Sequence, residues 1–563
     1  MMNFKSILAI ASCSTILLTG CSKKMNQFNA DYFTVNPNPL EVVGDRVPAT
    51  VTANIPAKFF LKNAEVTVTP YLVFDGEEVA SQAYSFQGEK VRGNAPVISY
   101  DRGQSVTIPV MYNYQPEMIK SQLALAFTVR QGGKQYVLPR VVVANGVIAT
   151  AALADAGTVT PAIAPDRFQR IINEKYAADI LFLINRSNIR KGQLETEEIE
   201  DLNNEIVSAK NASNREIKEI NISSYASPDG TYAFNSKLAQ ERENSTKAYL
   251  NDQLKKDNIT EFGELTAQFT PEDWEGFQKL VAKSDIQDKD LILSVLSMYK
   301  DPEQREKEIR NLSSVFDQLA ETILPQLRYS RITASIDVIG KSDQEIMELF
   351  QTNPRALSVD EILYAATLTD NNARKLKIYD TAARQYPNDY RTFNDLGVAQ
   401  FIAGDFDAAQ ASFAQAARLA PSEAQPQLNL GLASLRNKDF RDAKQKFGNA
   451  AGLNELGEAT GTLYLMQGDI NAANKAFGNS KSNNAALAQI LAKNYSQAKS
   501  TLAGVASPDA TTYYLYAVLG ARTNNESMVK DNLQKAIKLD HTYAAKAAKD
   551  LEFANFNISN IAY

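Results

Sequence analysis

The amino-acid sequence predicts a multidomain protein with an N-terminal all-β sandwich, a central α+β domain with a helical insertion, and a C-terminal all-α repeat solenoid. Three observations predict this order. Apolar and polar residues alternate with period two up to residue 153, strand and amphipathic-helix patterns alternate from residue 166, and a 34-residue repeat follows residue 343. With 563 residues, the chain has room for several domains of ordinary size.

Residues 1–20 are predicted to be a lipoprotein signal peptide. Lys5 precedes an apolar run, residues 7–18, that is too short to span a bilayer as a mature helix. The run ends in Leu18-Thr19-Gly20-Cys21. These four residues resemble a lipobox, whose cysteine thiol carries the diacylglycerol, so Cys21 is the predicted lipidation site. An ordinary export signal followed by a chance cysteine is the alternative.

Cysteine usage fits a lipoprotein of the cell envelope. The other cysteine, Cys13, lies inside the predicted signal peptide, so the mature chain cannot form an internal disulfide. Ser22, Lys23 and Lys24 follow Cys21, whereas surface-exported lipoproteins of Bacteroidetes resemble one another in an acidic stretch there. We therefore expect an outer-membrane protein that is held by its acyl chains and faces the periplasm, with surface orientation as the alternative.

Residues 31–153 are predicted to form an antiparallel β-sandwich. Period-two alternation is clear at residues 66–68, 105–110 and 123–129. Turn signals separate these strands, and they are Asp75-Gly76, Arg102-Gly103 and Gly132-Gly133. The stretch that follows, residues 154–165, is rich in Ala, Gly, Thr and Pro and is predicted to be a linker.

Residues 166–342 alternate between strand and helix patterns. The predicted strands are residues 177–184, 217–224 and 329–338, and the predicted amphipathic helices are residues 195–207 and 238–254. Residues 260–324 are predicted to be a helical insertion. Within it, Thr270 and Asp301 each precede a proline and acidic residues, a pattern typical of a helix start with a capping side chain.

One segment of this domain resembles the OmpA-like peptidoglycan-binding domain. The residues that carry the resemblance are Ser224-Tyr225-Ala226-Ser227-Pro228-Asp229-Gly230, Asn235, Leu238 and Arg242. The family shows a Thr-Asp pair followed at fixed offsets by Gly, Asn, Leu and Arg, and the last four recur here at the matching offsets from Ser227. The peptidoglycan-binding residues that the resemblance implies are Arg242, Ser227, Asp229 and Asn235.

The sequence departs from the family pattern at one position. In the family, the Asp and the Arg hold the two ends of the diaminopimelate side chain, and here Ser227 stands in place of the Asp. A neutral hydroxyl cannot offset an ammonium charge, and a charge-assisted contact is worth about 1.5–3 kcal/mol. We therefore expect weakened wall binding. The alternative is a domain kept for its shape, in which a neighbouring carboxylate such as Asp229 neutralises Arg242.

The sequence from residue 343 to residue 556 contains an internal repeat. Leu396-Gly397, Ala409, Phe413 and Ala416 recur 34 residues later as Leu430-Gly431, Ala443, Phe447 and Ala450. This spacing resembles the tetratricopeptide repeat, which implies a solenoid of helix pairs with a concave groove for an extended peptide or a helix. The groove residues implied by the register are Asn394, Val398, Phe401, Leu428, Leu432 and Leu435. Packing between helices is the alternative role of each.

Composition and motifs exclude several classes of function. The 59 basic and 65 acidic residues give a net charge of −6 without a basic cluster, so we expect no nucleic-acid partner. His541 is the only histidine, so histidine-based zinc sites and Ser-His-Asp triads cannot be assembled. We expect no metal, no cofactor and no enzymatic activity. A carboxylate-only or Ser-Lys hydrolase remains open.

These observations predict a non-enzymatic outer-membrane lipoprotein that tethers or scaffolds envelope components. Its acyl chains would enter the membrane, the central domain would bind peptidoglycan weakly, and the repeat groove would hold an envelope protein or peptide. The alternative is an accessory subunit of an outer-membrane assembly or secretion complex that binds only protein.

Overall fold

The structure, a computed structural model, describes residues 24–286, 288–311 and 313–558. The predicted signal peptide and Cys21 lie outside the described residues. The chain folds into two compact units: unit 1 combines the residues up to Pro165 with those from Asp370 onward, and unit 2 is Asp166–Thr369. Residues 343–369, which the sequence analysis assigned to the repeat array, therefore belong to unit 2.

The N-terminal part of unit 1 is rich in β-structure, as the alternation predicts. Its strands are β1 (Phe33–Asn36), β2 (Leu40–Glu41), β3 (Arg46–Ile55), β4 (Ala64–Phe74), β5 (Glu77–Ala80), β6 (Tyr84–Gly88), β7 (Val97–Ile98), β8 (Gln104–Asn113), β9 (Ser121–Gln131), β10 (Lys134–Asn145) and β11 (Val147–Ile148). One sheet has the order β1-β3-β8, a second has the order β10-β9-β4-β6-β7 with β5 beside β4, and β11 pairs with β2. Alternate residues of β3, β4 and β9 point into one shared apolar core.

Two-residue turns connect neighbouring strands of the larger sheet. Asp75-Gly76 joins β4 to β5, and Gly132-Gly133 joins β9 to β10. The φ angles of these four residues are 48°, 79°, 56° and 75°. Such left-handed pairs match the twist of an antiparallel hairpin and favour Gly and Asp. The turn signals in the sequence therefore gave the correct positions for both hairpins.

Unit 2 contains a mixed four-stranded sheet. Its strands are β12 (Ile171–Leu181), β13 (Arg215–Tyr225), β14 (Glu264–Thr270) and β15 (Tyr329–Ile339), and its helices are α1 (Glu197–Asn211), α2 (Tyr232–Lys256), α3 (Trp274–Lys283), α4 (Lys289–Met298), α5 (Pro302–Asn311), α6 (Ser313–Thr322), α7 (Asp343–Thr352) and α8 (Val359–Ala365). The sheet order is β12-β15-β13-β14, and only the β13–β14 pair is parallel. The apolar stripes of α1 and α2 pack on this sheet and form its core.

The insertion differs from the prediction at its start. Residues 264–270, predicted as helix, form β14 at the edge of the sheet, where none of its side chains is fully buried and the alternation is correspondingly weak. Asp301 caps α5 as predicted, because its Oδ1 accepts a hydrogen bond from Gln304 N at 2.9 Å. Thr270, however, ends β14, and Asp273 is the residue that caps α3.

The C-terminal part of unit 1 is an array of helix pairs. Its helices are α9 (Asn372–Gln385), α10 (Tyr390–Ile402), α11 (Phe406–Leu419), α12 (Ala424–Arg436), α13 (Phe440–Gly448), α14 (Leu456–Gln467), α15 (Ile470–Phe477), α16 (Asn483–Leu491), α17 (Tyr495–Ala503), α18 (Ala510–Arg522), α19 (Glu526–Leu539) and α20 (Thr542–Ala547). Successive helices from α10 to α19 pack as antiparallel pairs. The predicted helical repeat is confirmed, and its pairs are those of a tetratricopeptide-type solenoid.

A glycine contact recurs inside three of these pairs. The pairs are Gly397 with Phe413, Gly431 with Phe447, and Gly461 with Phe477. In each, a Cβ on the glycine would lie 2.5 or 2.6 Å from the phenylalanine ring, closer than packed carbon atoms can approach. The rings are buried and surrounded by other helices. The glycine therefore sets how closely the two helices of a repeat can pack.

The substitution Gly431→Val is expected to destabilise the array by about 1–3 kcal/mol, the usual cost of overpacking a core. The matched control is Gly448→Val in the neighbouring helix, because a Cβ at Gly448 meets no atom within 4 Å. Urea unfolding followed by circular dichroism should show a lower midpoint for Gly431→Val alone, and hydrogen exchange should place the loss in α12 and α13. Equal midpoints for the two variants would contradict this packing role.

Candidate functional site

The four residues implied by the OmpA-like resemblance lie close together in unit 2. Ser227 and Asp229 occupy the turn between β13 and α2, and Asn235 and Arg242 lie on α2. Thr231 begins this helix, because its hydroxyl accepts a hydrogen bond from Phe234 N. The local fold therefore assembles the predicted constellation, and the contacts of each side chain determine what it can bind.

Arg242 donates hydrogen bonds into the protein interior. Its Nε, Nη1 and Nη2 donate to the carbonyl oxygens of Arg186, Tyr225 and Leu183 at 3.0, 2.8 and 3.3 Å, and its guanidinium carbon lies 5.1 Å from the centre of the Phe182 ring. The side chain is 0% exposed. Burial, with a smaller contribution from the nearby positive charge, lowers the pKa of Arg242 to about 10, so it stays protonated at neutral pH. Its three nitrogens are directed at backbone carbonyls.

Asp229 forms its ion pair with Arg328, the residue just before β15. The Arg328 Nη2 lies 2.9 Å from Asp229 Oδ2, and its Nε donates to Ser227 Oγ at 3.0 Å. The Ser227 hydroxyl in turn donates to Asp229 Oδ1 at 2.7 Å. All three side chains are largely buried. The acidic partner that the sequence alternative gave to Arg242 thus pairs with a different arginine, one that the sequence analysis did not single out.

Asn235 closes the same turn from the helix side. Its Nδ2 donates to Gly230 O at 2.9 Å and to Glu272 Oε1 at 3.2 Å. The other oxygen of Glu272 accepts a hydrogen bond from Trp274 Nε1 at 2.9 Å. Asn235 is 2% exposed and Glu272 is 7% exposed. The predicted wall-binding residues are therefore engaged in a compact network within unit 2.

The predicted groove residues of the array lie on α10 and α12 in unit 1. They are Asn394, Val398, Phe401, Leu428, Leu432 and Leu435, and each is buried. The apolar ones among them share a core with Ala156, Val159 and Ala162. Residues 155–165, which we call the groove segment, therefore run along the array and cover these positions. The sequence analysis assigned residues 154–165 to a linker, yet Ala156, Val159, Ala162 and Ala164 are buried in unit 1.

Asparagine side chains hold the backbone of the groove segment. Asn429 Oδ1 accepts from Ala162 N at 2.7 Å, and its Nδ2 donates to Ala162 O at 2.8 Å. Asn484 does the same for Asp155, with distances of 3.1 and 2.8 Å. Asn394 Nδ2 adds a hydrogen bond to Ala162 O at 2.9 Å. Two residues of the segment thus have both backbone groups paired with one amide side chain each.

The C-terminal end of the groove segment is held by α10. Asp395 Oδ1 accepts from Ala164 N at 2.8 Å, and Arg391 Nη1 donates to Pro165 O at 3.4 Å. Asp395 and Asn429 are 34 residues apart, which places them at the same position of successive repeats. Asn484 occupies this position two repeats later. A polar residue recurring at one position of the first helix was the sequence signal for these contacts.

In the part of the chain that the structure covers, no group of three His, Cys, Asp or Glu side chains is placed to hold a metal ion. None of the helices among these same residues combines the length and hydropathy that a bilayer-spanning helix needs.

The comparisons with known proteins give matches to solved structures only. No protein-family model matches the sequence, and no curated protein matches it. The chain is similar to a tetratricopeptide repeat protein from Parabacteroides merdae, with 11% identity over 37% of this chain and 91% of that one and a TM-score of 0.30. It is similar to PilF of Pseudomonas aeruginosa (14% identity, 37% and 95%, TM-score 0.27) and to yeast Tom70 (14% identity, 57% and 74%, TM-score 0.26). The assignment of the array to the tetratricopeptide type rests on its helix pairs and its glycine–phenylalanine contacts.

The substitution Arg242→Ala is expected to destabilise unit 2 by about 2–5 kcal/mol, because it removes three hydrogen bonds to backbone carbonyls and opens a cavity. The control is Arg186→Ala, whose side chain is exposed and whose loss should change stability by less than about 0.5 kcal/mol. Thermal unfolding of the purified protein, with hydrogen exchange to identify the affected strands, measures both. A wild-type stability for Arg242→Ala would mean that the carbonyl contacts contribute little.

Proposed function

We propose that the chain is a non-enzymatic, lipid-anchored scaffold of the cell envelope that acts as an accessory subunit and binds protein. The observation that carries this proposal is the repeat array, in which Asn429 and Asn484, on the first helices of their repeats, hold residues 155–162 by the backbone. Helical solenoids of this kind present extended surfaces suited to protein ligands. These contacts support peptide binding as the proposed role of the array.

The surroundings of Arg242 favour the protein-binding function over wall tethering. A diaminopimelate carboxylate would need two guanidinium N–H groups in one plane and accessible from outside. Arg242 is fully buried and donates to three carbonyls, and Asp229 is paired with Arg328. Wall binding at this place would require both sets of contacts to break. The second candidate function, a wall tether, is favoured by the matching offsets of Gly230, Asn235, Leu238 and Arg242 in the sequence.

Support for the anchor comes from the sequence before the described residues. Leu18-Thr19-Gly20-Cys21 closes an apolar export signal, and Cys21 is the sole cysteine of the predicted mature chain. Ser22, Lys23 and Lys24 stand where surface-exported lipoproteins of Bacteroidetes have an acidic stretch, and the absence of that stretch favours a periplasm-facing protein in the outer membrane. The proposed arrangement has the acyl chains in the membrane and both folded units in the periplasm.

Sedimentation with purified peptidoglycan separates the two candidate functions. The mature chain carrying Cys21→Ser, which avoids lipid and stray disulfides, is expected to remain in the supernatant at micromolar concentrations. A Ser227→Asp variant, which restores the family residue, should remain there too, because Arg242 stays buried. An authentic OmpA-like domain serves as the positive control. Sedimentation of the wild-type sequence that is lost in Arg242→Lys, with folding retained, would establish the wall tether instead.

Substitution of Cys21 tests the anchor and the partner together. The wild-type chain should partition into detergent and fractionate with the outer membrane, whereas Cys21→Ala should lose the lipid and leave that fraction; Ser22→Ala is the control and should behave as wild type. Affinity purification of the wild-type protein from these membranes should recover a stoichiometric protein partner. Identical fractionation of Cys21→Ala and wild type would rule out the anchor. Affinity purification that recovers no stoichiometric protein partner would rule out the accessory role.

A further inference from the structure

The hydrogen bonds that hold the groove segment are made to its backbone and do not depend on which side chains it carries. Asn429 and Asn484 each pair with the N–H and C=O of a single residue, and Asp395 accepts from one further backbone N–H. The buried side chains of the segment are small, and they are Ala156, Val159, Pro161, Ala162 and Ala164. Three of them, Ala156, Val159 and Ala162, belong to the apolar core of the array. The array therefore holds a backbone that makes a 3-10 turn at residues 156–158, with small residues at a spacing of three at Ala156, Val159 and Ala162.

This mode of recognition is that of a β-strand partner, supplied by side chains. A primary amide has one acceptor oxygen and donor hydrogens on its nitrogen, which match the two backbone groups of one residue. The paired residues, Asp155 and Ala162, lie near the two ends of the segment, so the backbone is fixed in register. Nothing in these contacts requires the segment to be continuous with the rest of the chain.

Covalent continuity nevertheless gives the segment a large advantage over any separate peptide. The segment is joined to the β-rich part of unit 1 on one side and to unit 2 on the other. A short tether of this kind corresponds to an effective concentration on the order of millimolar. A free peptide with the same contacts and present at micromolar concentration would be excluded by competition.

We propose that the groove of the repeat array is a site that binds a peptide through its backbone, and that its resident ligand is the chain's own groove segment, residues 155–165. A separate peptide enters only when this segment leaves. This inference deepens the proposed protein-binding function and rests on it where an external partner is concerned. While the segment is in place, a protein partner contacts another surface of the array. A partner that uses the groove must present small side chains at the positions of Ala156, Val159 and Ala162.

The experiment uses the full mature chain with Cys21→Ser and a fluorescent synthetic peptide of residues 154–165. In one variant, residues 156–164 are replaced by a Gly/Ser sequence of equal length, which removes the apolar side chains and frees the groove. Fluorescence anisotropy should detect no binding to the wild-type groove at about 100 µM peptide, a concentration below the effective one. The Gly/Ser variant should bind the peptide, and adding Asn429→Ala should weaken this binding at least about tenfold, since two hydrogen bonds are lost.

A modified peptide tests the backbone contact directly. Methylation of the Ala162 nitrogen removes the N–H that donates to Asn429 Oδ1 and leaves the side chain unchanged. Binding of this peptide to the Gly/Ser variant should therefore weaken by a factor similar to that of Asn429→Ala. Methylation at Ile163, an exposed position, controls for the effect of the methyl group on the peptide conformation. Equal binding of the peptide to wild type and variant, or no binding to a folded variant, would overturn the proposal.

Hydrogen exchange on the unaltered segment covers the case in which the Gly/Ser variant does not fold. In the wild-type chain, the amide of Ala162 should exchange at least about tenfold more slowly than in Asn429→Ala, because the variant lacks its acceptor. An unchanged exchange rate of the Ala162 amide in Asn429→Ala would contradict the proposed binding through the backbone. These measurements use purified protein alone, so their outcome is independent of the membrane and peptidoglycan experiments.

Discussion

The construction of unit 1 depends on how a buried extended segment satisfies its own backbone. An extended chain that lies against helices has no neighbouring strand, and each unpaired buried N–H or C=O would cost about 1–3 kcal/mol. Amide and carboxylate side chains from the first helices of the repeats take the place of the missing strand, most clearly Asn429 at Ala162. The apolar contacts of the segment can form only because these backbone groups are paired.

The same segment explains why the β-rich region and the repeat array form one unit. Short 3-10 turns at residues 150–153 and 156–158 contact α12, α14 and α16. Near the C-terminus, the buried carboxylate of Glu552 accepts a hydrogen bond from Thr150 and pairs with Arg522. The groove segment, the turn at residues 150–153 and the hydrogen bond from Thr150 to Glu552 fasten the two parts at different places. Unit 2 also has a buried polar side chain that pairs with backbone groups, since Arg242 donates hydrogen bonds to three carbonyls.

Much of the fold could be predicted from local sequence patterns. The hairpin turns at Asp75-Gly76 and Gly132-Gly133 require left-handed backbone angles that few residue types adopt. The glycines of the repeat are required for a different reason, because a phenylalanine ring occupies the space that a Cβ would need. The failure at β14 has a physical cause as well: an edge strand needs no buried face, so it carries little alternation. Once Thr270 belongs to that strand, the helix start moves to Asp273.

The contacts of the candidate sites could not be predicted, because their partners are distant in sequence. Arg328 meets Ser227 across 101 residues, and Asn429 meets Ala162 across 267. A stretch rich in Ala, Gly, Thr and Pro has the composition of a linker, and only its position against the array makes it part of a core. Similarly, the motif places Arg242 correctly on α2 but does not tell whether its guanidinium faces solvent or carbonyls.

The position of the groove segment along the chain has a consequence for synthesis and folding. The segment leaves the ribosome before the array that encloses it, and all of unit 2 is made in between. Unit 2 is contiguous in sequence and can fold as soon as it emerges, whereas unit 1 must wait for Asn484 and the helices after it. Contacts of such long sequence separation form slowly, because a long loop must be closed first. The repeats of this protein thus complete their fold around a peptide that was synthesised well before them.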